Sequence, residues 1–341
     1  MKLTLRILIV AASLLIVGVF ASAGYALFQN KSPDDWPEES WTFTVERGES
    51  VQRIARRLEE EGVIRSPLLL RLLSKMKATQ TSFQSGTYLI PVGSSSLQVH
   101  DILVSGQEIL QKVTVPEGWT VSRVADELDA NQIVKKADFV GATQDPVLLA
   151  TLGIRGDSAE GYLFPDTYLF PKGYPAEKVL QLMVERFFEV VADIDSDFGL
   201  MEADQLHEKV ILASVIEREY VVEDEASLMA SVFYNRLVLD MKLQSCATVA
   251  YALSEEMGQE HPDSLTLRDL EVESLYNTYL HEGLPPGPIA NPGATALRSV
   301  FFPAETDFLF FLLRDPATGA HEFTVNYDEH LYAKNLYLKK R

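Results

Sequence analysis

The chain is 341 residues long, 47% hydrophobic and 10% aromatic, which is enough apolar material for two or three packed domains and too much for a disordered chain. Its 49 Asp and Glu outnumber 30 Lys and Arg, and the formal charge of -19 argues against a nucleic-acid partner, because phosphate binding needs a positive footprint. A single cysteine, Cys246, excludes an intramolecular disulfide and a cysteine-based zinc cluster, and six scattered histidines give no metal-binding pair, so neither metal nor cofactor is expected.

In chain order, residues 1–6 carry Lys2 and Arg6, and residues 7–28 then run about 22 positions without a charge, the length of a bilayer-spanning helix. The positive-inside rule leaves residues 1–6 in the cytoplasm and sends everything after Phe28 across the membrane. A rival reading is a cleaved signal peptide, since Ala21-Ser22-Ala23 has the small-residue cleavage pattern. The apolar run continues past that point, which favours a retained anchor; either way the folded part is extracytoplasmic. Residues 29–40 are polar with two prolines and read as a linker that lets the first domain stand off the bilayer.

Residues 41–45 alternate as a strand, and Ser50 caps a helix whose Val51, Ile54, Ala55 and Leu58 fall at i, i+3, i+4, i+7. A helix over 66–76, a strand over 86–91 and a helix over 96–105 complete a small β-α-α-β module, 41–108. Its G-E-S-V-x-x-I-A-x-x-L pattern, starting at Gly48, resembles LysM-type modules, which bind N-acetylglucosamine polymers. An ordinary small α+β domain is the alternative.

A strand over 111–115 and helices over 121–128 and 138–143 lead to 160–168, E-G-Y-L-F-P-D-T-Y. Aromatics, a glycine, a proline and two carboxylates crowd there without a period, as in a folded loop lining a groove. Core packing is the commoner fate of such aromatics. Helices over 176–192, 204–220 and 224–237 make the second half helix-rich. Beyond them stand 241–248, a helix to 253, Tyr276-Asn-Thr-Tyr279, and 283–293, where seven of eleven residues are Gly or Pro and the conformation is restricted. A hairpin, 308–313 with 321–325, precedes the last helix. His321 and His330 read as structural.

The stretch 208–220 holds the main candidate. Leu212, Val215 and Ile216 form an apolar stripe, and its next position is Glu219, a carboxylate where a core residue belongs. Glu217 lies about 200° round the helix from it, so only one of the two acids is expected to face inward. Burial raises a carboxyl pKa, which suits a general acid. Two solvated glutamates neutralised by Arg218 are the ordinary alternative.

Taken together, E-G-Y-L-F-P-D-T-Y, A-S-V-I-E-R-E, A-S-V-F-Y-N-R-L, Y-N-T-Y and G-L-P-P-G-P-I-A-N-P-G resemble the motifs of the endolytic murein transglycosylases, the YceG-like family, in the same order. The resemblance implies an α+β fold: an N-terminal transmembrane helix, a small LysM-like α/β module, and a helix-rich α+β catalytic domain over 109–341. It implies cleavage of the β-1,4 bond between N-acetylmuramic acid and N-acetylglucosamine, leaving 1,6-anhydro ends, with no cofactor. The family's catalytic glutamate falls on Glu219, and its lysine between the two acids is Arg218. By motif position, Asn235, Gln244, Tyr276, Asn277 and Asn291 become candidates for polar contact with substrate, Glu160 and Asp166 for orienting it, and Tyr162 for the groove wall. Where many relatives read L-Q-[ST]-D-P-T, this chain has Leu243-Gln-Ser-Cys-Ala-Thr248, so no role is carried over for the missing aspartate; Cys246 is expected to be a small buried thiol. Expected partners are peptidoglycan strands, the inner membrane and nascent-strand synthases. A non-catalytic glycan-binding scaffold and a glycan hydrolase are the rival functions.

Overall fold

A computed structural model describes residues 18, 24–33, 41–106, 109–262 and 264–337. Two compact units divide the chain at Gln111 and Lys112. The expected cytoplasmic tip, most of the expected membrane span and residues 34–40 of the expected linker lie outside the described residues, and among the described residues no helix is long and apolar enough to cross a membrane.

In the first unit, β1 (Trp41–Val45) and β2 (Gly86–Ile90) pair antiparallel, with Phe43 opposite Tyr88. Alternation puts Phe43 and Val45 inside and leaves Thr42 and Thr44 out. Between the strands run α1 (Val51–Glu60), capped by Ser50, and α2 (Pro67–Met76), capped by Ser66; α3 (Ser96–Ser105) follows. The α1 positions Val51, Ile54, Ala55 and Leu58 are all buried, as their spacing requires. Residues 24–30 are helical, and residues 29–32 are fastened to this unit. Ser96 donates to the Gln29 carbonyl (3.4 Å), the Leu97 amide donates to Asn30 (3.0 Å), and Arg65 donates to the Ser32 carbonyl (2.8 Å). Residues 29–32 are therefore part of the unit and not a spacer.

The boundary falls within β3 (Leu110–Thr114), which lies beside β4 (Thr167–Pro171); the second unit continues with the short helices α4 (Val121–Ala130), α5 (Lys136–Ala142) and α6 (Pro146–Thr151). Its body is helical: α7 (Ala176–Ile194), α8 (Ala203–Glu217), α9 (Ala226–Val238) and α11 (Ala294–Phe301), with α11 packed on the other three. The short α10 (Cys246–Tyr251), an antiparallel hairpin of β5 (Phe310–Asp315) and β6 (Ala320–Thr324), and α12 (Tyr327–Tyr337) complete it. In α8 every residue from Val210 to Ile216 is buried, because neighbours cover the helix on all sides. Helix α6 and strand β4 were not legible as periodic segments: one is six residues long and the other carries Pro171.

Candidate active site

Helix α8 ends at Glu217, two residues short of Glu219, and Arg218 occupies its C-cap. The chain tightens there: the Glu219 amide donates to Ile216 (2.9 Å) and the Tyr220 amide also reaches Ile216 (3.2 Å). Past the helix end the 100° increment no longer binds, and both acids turn toward protein. This corrects the expectation that only one faces inward. Glu217 accepts from the Gly293 amide (2.9 Å) and from the Tyr220 hydroxyl (3.4 Å), which buckles the helix end to the Gly- and Pro-rich loop. Burial pushes its pKa up to about 7, although the Gly293 amide opposes the shift.

Glu219 is half-buried and accepts a short hydrogen bond from the Ser245 hydroxyl. Burial raises its pKa. The Ser245 hydroxyl, the charge of His321, the Ala247 amide and Arg218 pull the other way, in that order. The carboxyl is thus held between a desolvating bundle and a set of groups that stabilise its anion.

Those groups are themselves fixed. Ser245 is buried, and its amide donates to the Thr278 hydroxyl (3.0 Å), which shares a hydrogen bond with Thr248 (2.9 Å). Just before it, Gln244 has φ of 52°, a left-handed conformation uncommon for a residue with a Cβ, and its side chain is exposed. His321 comes from β6. Its Nδ1 lies 2.8 Å from Glu225, whose carboxylate also accepts the His321 amide (3.0 Å). The preceding turn packs on the same segment, since a side chain at Gly319 would collide with Val221, two residues after Glu219. Sequence reasoning passed over Ser245 and the Ala247 amide and set His321 aside. The only available signal was Ser245's place inside the L-Q-S-C-A-T run.

The expected substrate residues fall into two groups. Gln244 is exposed, Tyr276 is half-buried with its ring 4.8 Å from that of Tyr251, and Asp166 is half-buried in an ion pair with Arg186 (3.0 Å). The others are occupied inside the protein. Tyr162 is 1% exposed, bonded to His207 (2.9 Å) and packed edge-on against Phe187. Asn277 is buried, donates to the Leu270 and Val272 carbonyls (3.0 and 2.8 Å), and shapes its own loop. Asn235 donates to Thr306 and Phe308 carbonyls (2.7 and 3.0 Å), so it docks the segment before β5 onto α9.

Asn291 joins three segments. Its Oδ1 accepts from the Gly161 and Leu163 amides (both 2.9 Å), and its Nδ2 donates to the Trp119 carbonyl (2.8 Å) and to Glu160 (3.0 Å). Glu160, also buried, accepts the Val121 amide at the start of α4 with both oxygens (3.1 and 2.9 Å), and burial pushes its pKa up to about 8. At Gly161 φ is 86°, and a Cβ would sit 2.6 Å from Pro288, so only glycine fits. The E-G-Y and P-I-A-N-P-G motifs therefore meet through Glu160, Gly161 and Asn291, behind the surface instead of on it.

One expectation about a flanking residue is corrected. Cys246 opens α10 with its side chain exposed, Sγ 3.2 Å from the Tyr279 hydroxyl, so it is not a buried thiol. Arg218, between the two acids, donates to the Gly118 carbonyl (3.3 Å) and approaches His261 (3.2 Å). It lines, with Ala247, Arg123 and Tyr251, a cavity of about 450 Å³. Among the described residues no group of three or more His, Cys, Asp or Glu is placed to hold a metal ion.

Comparison with known proteins gives a consistent result. The model of the YceG-like family matches residues 43–335, across both units. The chain is 30% identical over 343 residues to an endolytic murein transglycosylase of Bacillus subtilis, covering 96% of this chain and 92% of that protein. It is 27% identical to an endolytic murein transglycosylase of Streptococcus pneumoniae, of which it spans 63%. The crystal structure of a yceG-like protein from Listeria monocytogenes matches with a TM-score of 0.57 at 31% identity, covering 87% of this chain and 99% of the other. With the family's model spanning most of its length and relatives this similar, the chain belongs to the YceG-like family.

Proposed function

We propose that this protein is an endolytic peptidoglycan lytic transglycosylase in which Glu219 is first the general acid and then the base. The observation that carries the reading is the environment of that carboxyl: burial favours its protonated form, while the Ser245 hydroxyl, the Ala247 amide, His321 and Arg218 stabilise the anion. Such a group gives up a proton and takes one back within a single turnover.

Glu219 donates its proton to the glycosidic oxygen as the bond from C1 of N-acetylmuramic acid breaks. The sugar's own C6 hydroxyl then closes on C1, and its proton passes to Glu219, restoring the acid. No water is consumed, and the second carboxylate of ordinary glycosidases is not needed. Gln244, Tyr276 and Asp166 are the candidates for direct contact with the glycan; Glu160, Tyr162, Asn235, Asn277 and Asn291 hold the loops that shape the groove. The names of the Bacillus and Streptococcus relatives support the reaction class.

Residues 7–28 form a retained single-pass anchor in the inner membrane, with the N-terminus cytoplasmic and the catalytic unit periplasmic. The 41–108 module, LysM-like in pattern, holds the glycan near the synthases that extend it. The test is to incubate the purified protein with peptidoglycan and read the products by mass spectrometry. Anhydro ends support the proposal, reducing ends mean a hydrolase, and unchanged strands mean a non-catalytic scaffold.

A further inference from the structure

In a protein of formal charge -19, the stretch 62–100 contains Arg65, Arg71, Lys75 and Lys77 and not one Asp or Glu. All four flank helix α2 or lie on it, and α2 has an unusual outer surface. Leu68, Leu72 and Met76, at every fourth position, are 69%, 49% and 74% exposed, whereas Leu70 and Ser74 are buried against the unit. Arg71 and Lys75 are exposed alongside them. A helix on a water-facing surface puts polar residues outward. An apolar stripe edged by cations and lacking acids is the pattern of a helix lying in a lipid interface.

The start of α2 adjoins the chain arriving from the proposed anchor. Arg65, one residue before the cap, stacks over Phe28 at 4.8 Å and donates to the Ser32 carbonyl. Leu97, 37% exposed at the start of α3, is tied to Asn30. Tyr25, Leu27 and Phe28 are themselves exposed apolar residues at the end of the span. The stripe therefore lies where the chain leaves the bilayer.

We propose that α2 rests on the bilayer that holds residues 7–28, with Leu68, Leu72 and Met76 in the headgroup boundary and Arg71 and Lys75 on the phosphates of anionic lipids. Lys77 is already paired with Asp101 (2.6 Å) and contributes less. This rests on the anchor reading above and adds to it: the first unit lies against the membrane in one orientation.

The experiment uses the full chain carrying Cys246→Ser and one new cysteine, at Leu72, Met76 or, as a control, Leu200, which is 89% exposed in the second unit. Each is labelled with a fluorophore and reconstituted into vesicles with or without phosphatidylglycerol. Nitroxide lipids should quench the probes at 72 and 76 several-fold more than at 200, and aqueous iodide should do the reverse. Arg71→Gln or Lys75→Gln should weaken docking about fivefold each, and omission of phosphatidylglycerol, which removes both contributions, about twenty-five-fold. Iodide access at 72 equal to that at 200 overturns the proposal, as does protection that changes with the protein-to-lipid ratio, which would mean that a second copy covers the stripe. Release of the protein by alkaline carbonate overturns the anchor and the proposal together; retention with an iodide-accessible probe overturns the proposal alone.

Discussion

Glu219 and Glu217 stand two residues apart, both half-buried and both with raised pKa, yet their partners differ. Glu217 is bound to a backbone amide of a rigid loop, whereas Glu219 meets a hydroxyl and nearby positive charge. Glu219→Gln should lower kcat by about a thousandfold, the scale of general acid catalysis, while Glu217→Gln keeps most of the activity. Turnover on peptidoglycan, read as anhydro ends, checks both, and the opposite order would reverse the assignment. Ser245→Ala removes a hydrogen bond that favours the Glu219 anion, so the pKa of that carboxyl rises further. The alkaline limb of kcat/KM, where the acid loses its proton, should move to higher pH. Rate at neutral pH should fall roughly tenfold, as expected for losing a hydrogen bond to a charged group worth about 1.5 kcal/mol. His321→Gln should move the same limb in the same direction, because it removes the next largest influence lowering that pKa.

At the scale of elements, the site depends on where segments end and how they are tied. Asn291→Ala leaves the Gly161 and Leu163 amides without their acceptor in a buried place, and should cost about 2–4 kcal/mol in denaturant unfolding. Glu160 adds a pH dependence whose sign follows from its raised pKa. The ordinary value is 4.5 and the folded value is about 8, so the folded state keeps the proton between those limits and stability falls as pH rises through them. The slope is at most about 1.4 kcal/mol per pH unit from this one group. Unfolding measured at pH 6 and pH 8 should show the loss in the native protein and a smaller loss in Glu160→Gln, whose amide oxygen still accepts the Val121 amide.

For the molecule as a whole, residues 29–32 are fastened to the first unit, so under the proposed anchor over residues 7–28 the catalytic unit would not hang from a loose tether. Insertion of flexible residues between Pro33 and Trp41 should leave glycan product length nearly unchanged. Insertion before Gln29, which would separate the unit from the proposed anchor, should lengthen the products. Sizing of released strands by chromatography distinguishes the two.

Periodicity alone determined most of this fold. The α1 positions Val51, Ile54, Ala55 and Leu58, the long α7 and the closing hairpin are local patterns, and a local pattern suffices when an element buries one face. Glu219 was expected inward as an acid on an apolar stripe; it is half-buried, but the helix stops at Glu217, so its inward position comes from the turn past the helix end and the contact with Ser245 and not from the helical period. Tertiary structure decided what lies around it. Ser245 follows Glu219 by 26 positions and His321 comes from β6 on the far side of the sequence; no spacing rule links them, because only packing brings those strands and turns together. The fate of Tyr162, Asn277 and Asn291 was decided there too: polar or aromatic residues in a motif look alike whether they face a ligand or hold a loop, and burial alone separates the two.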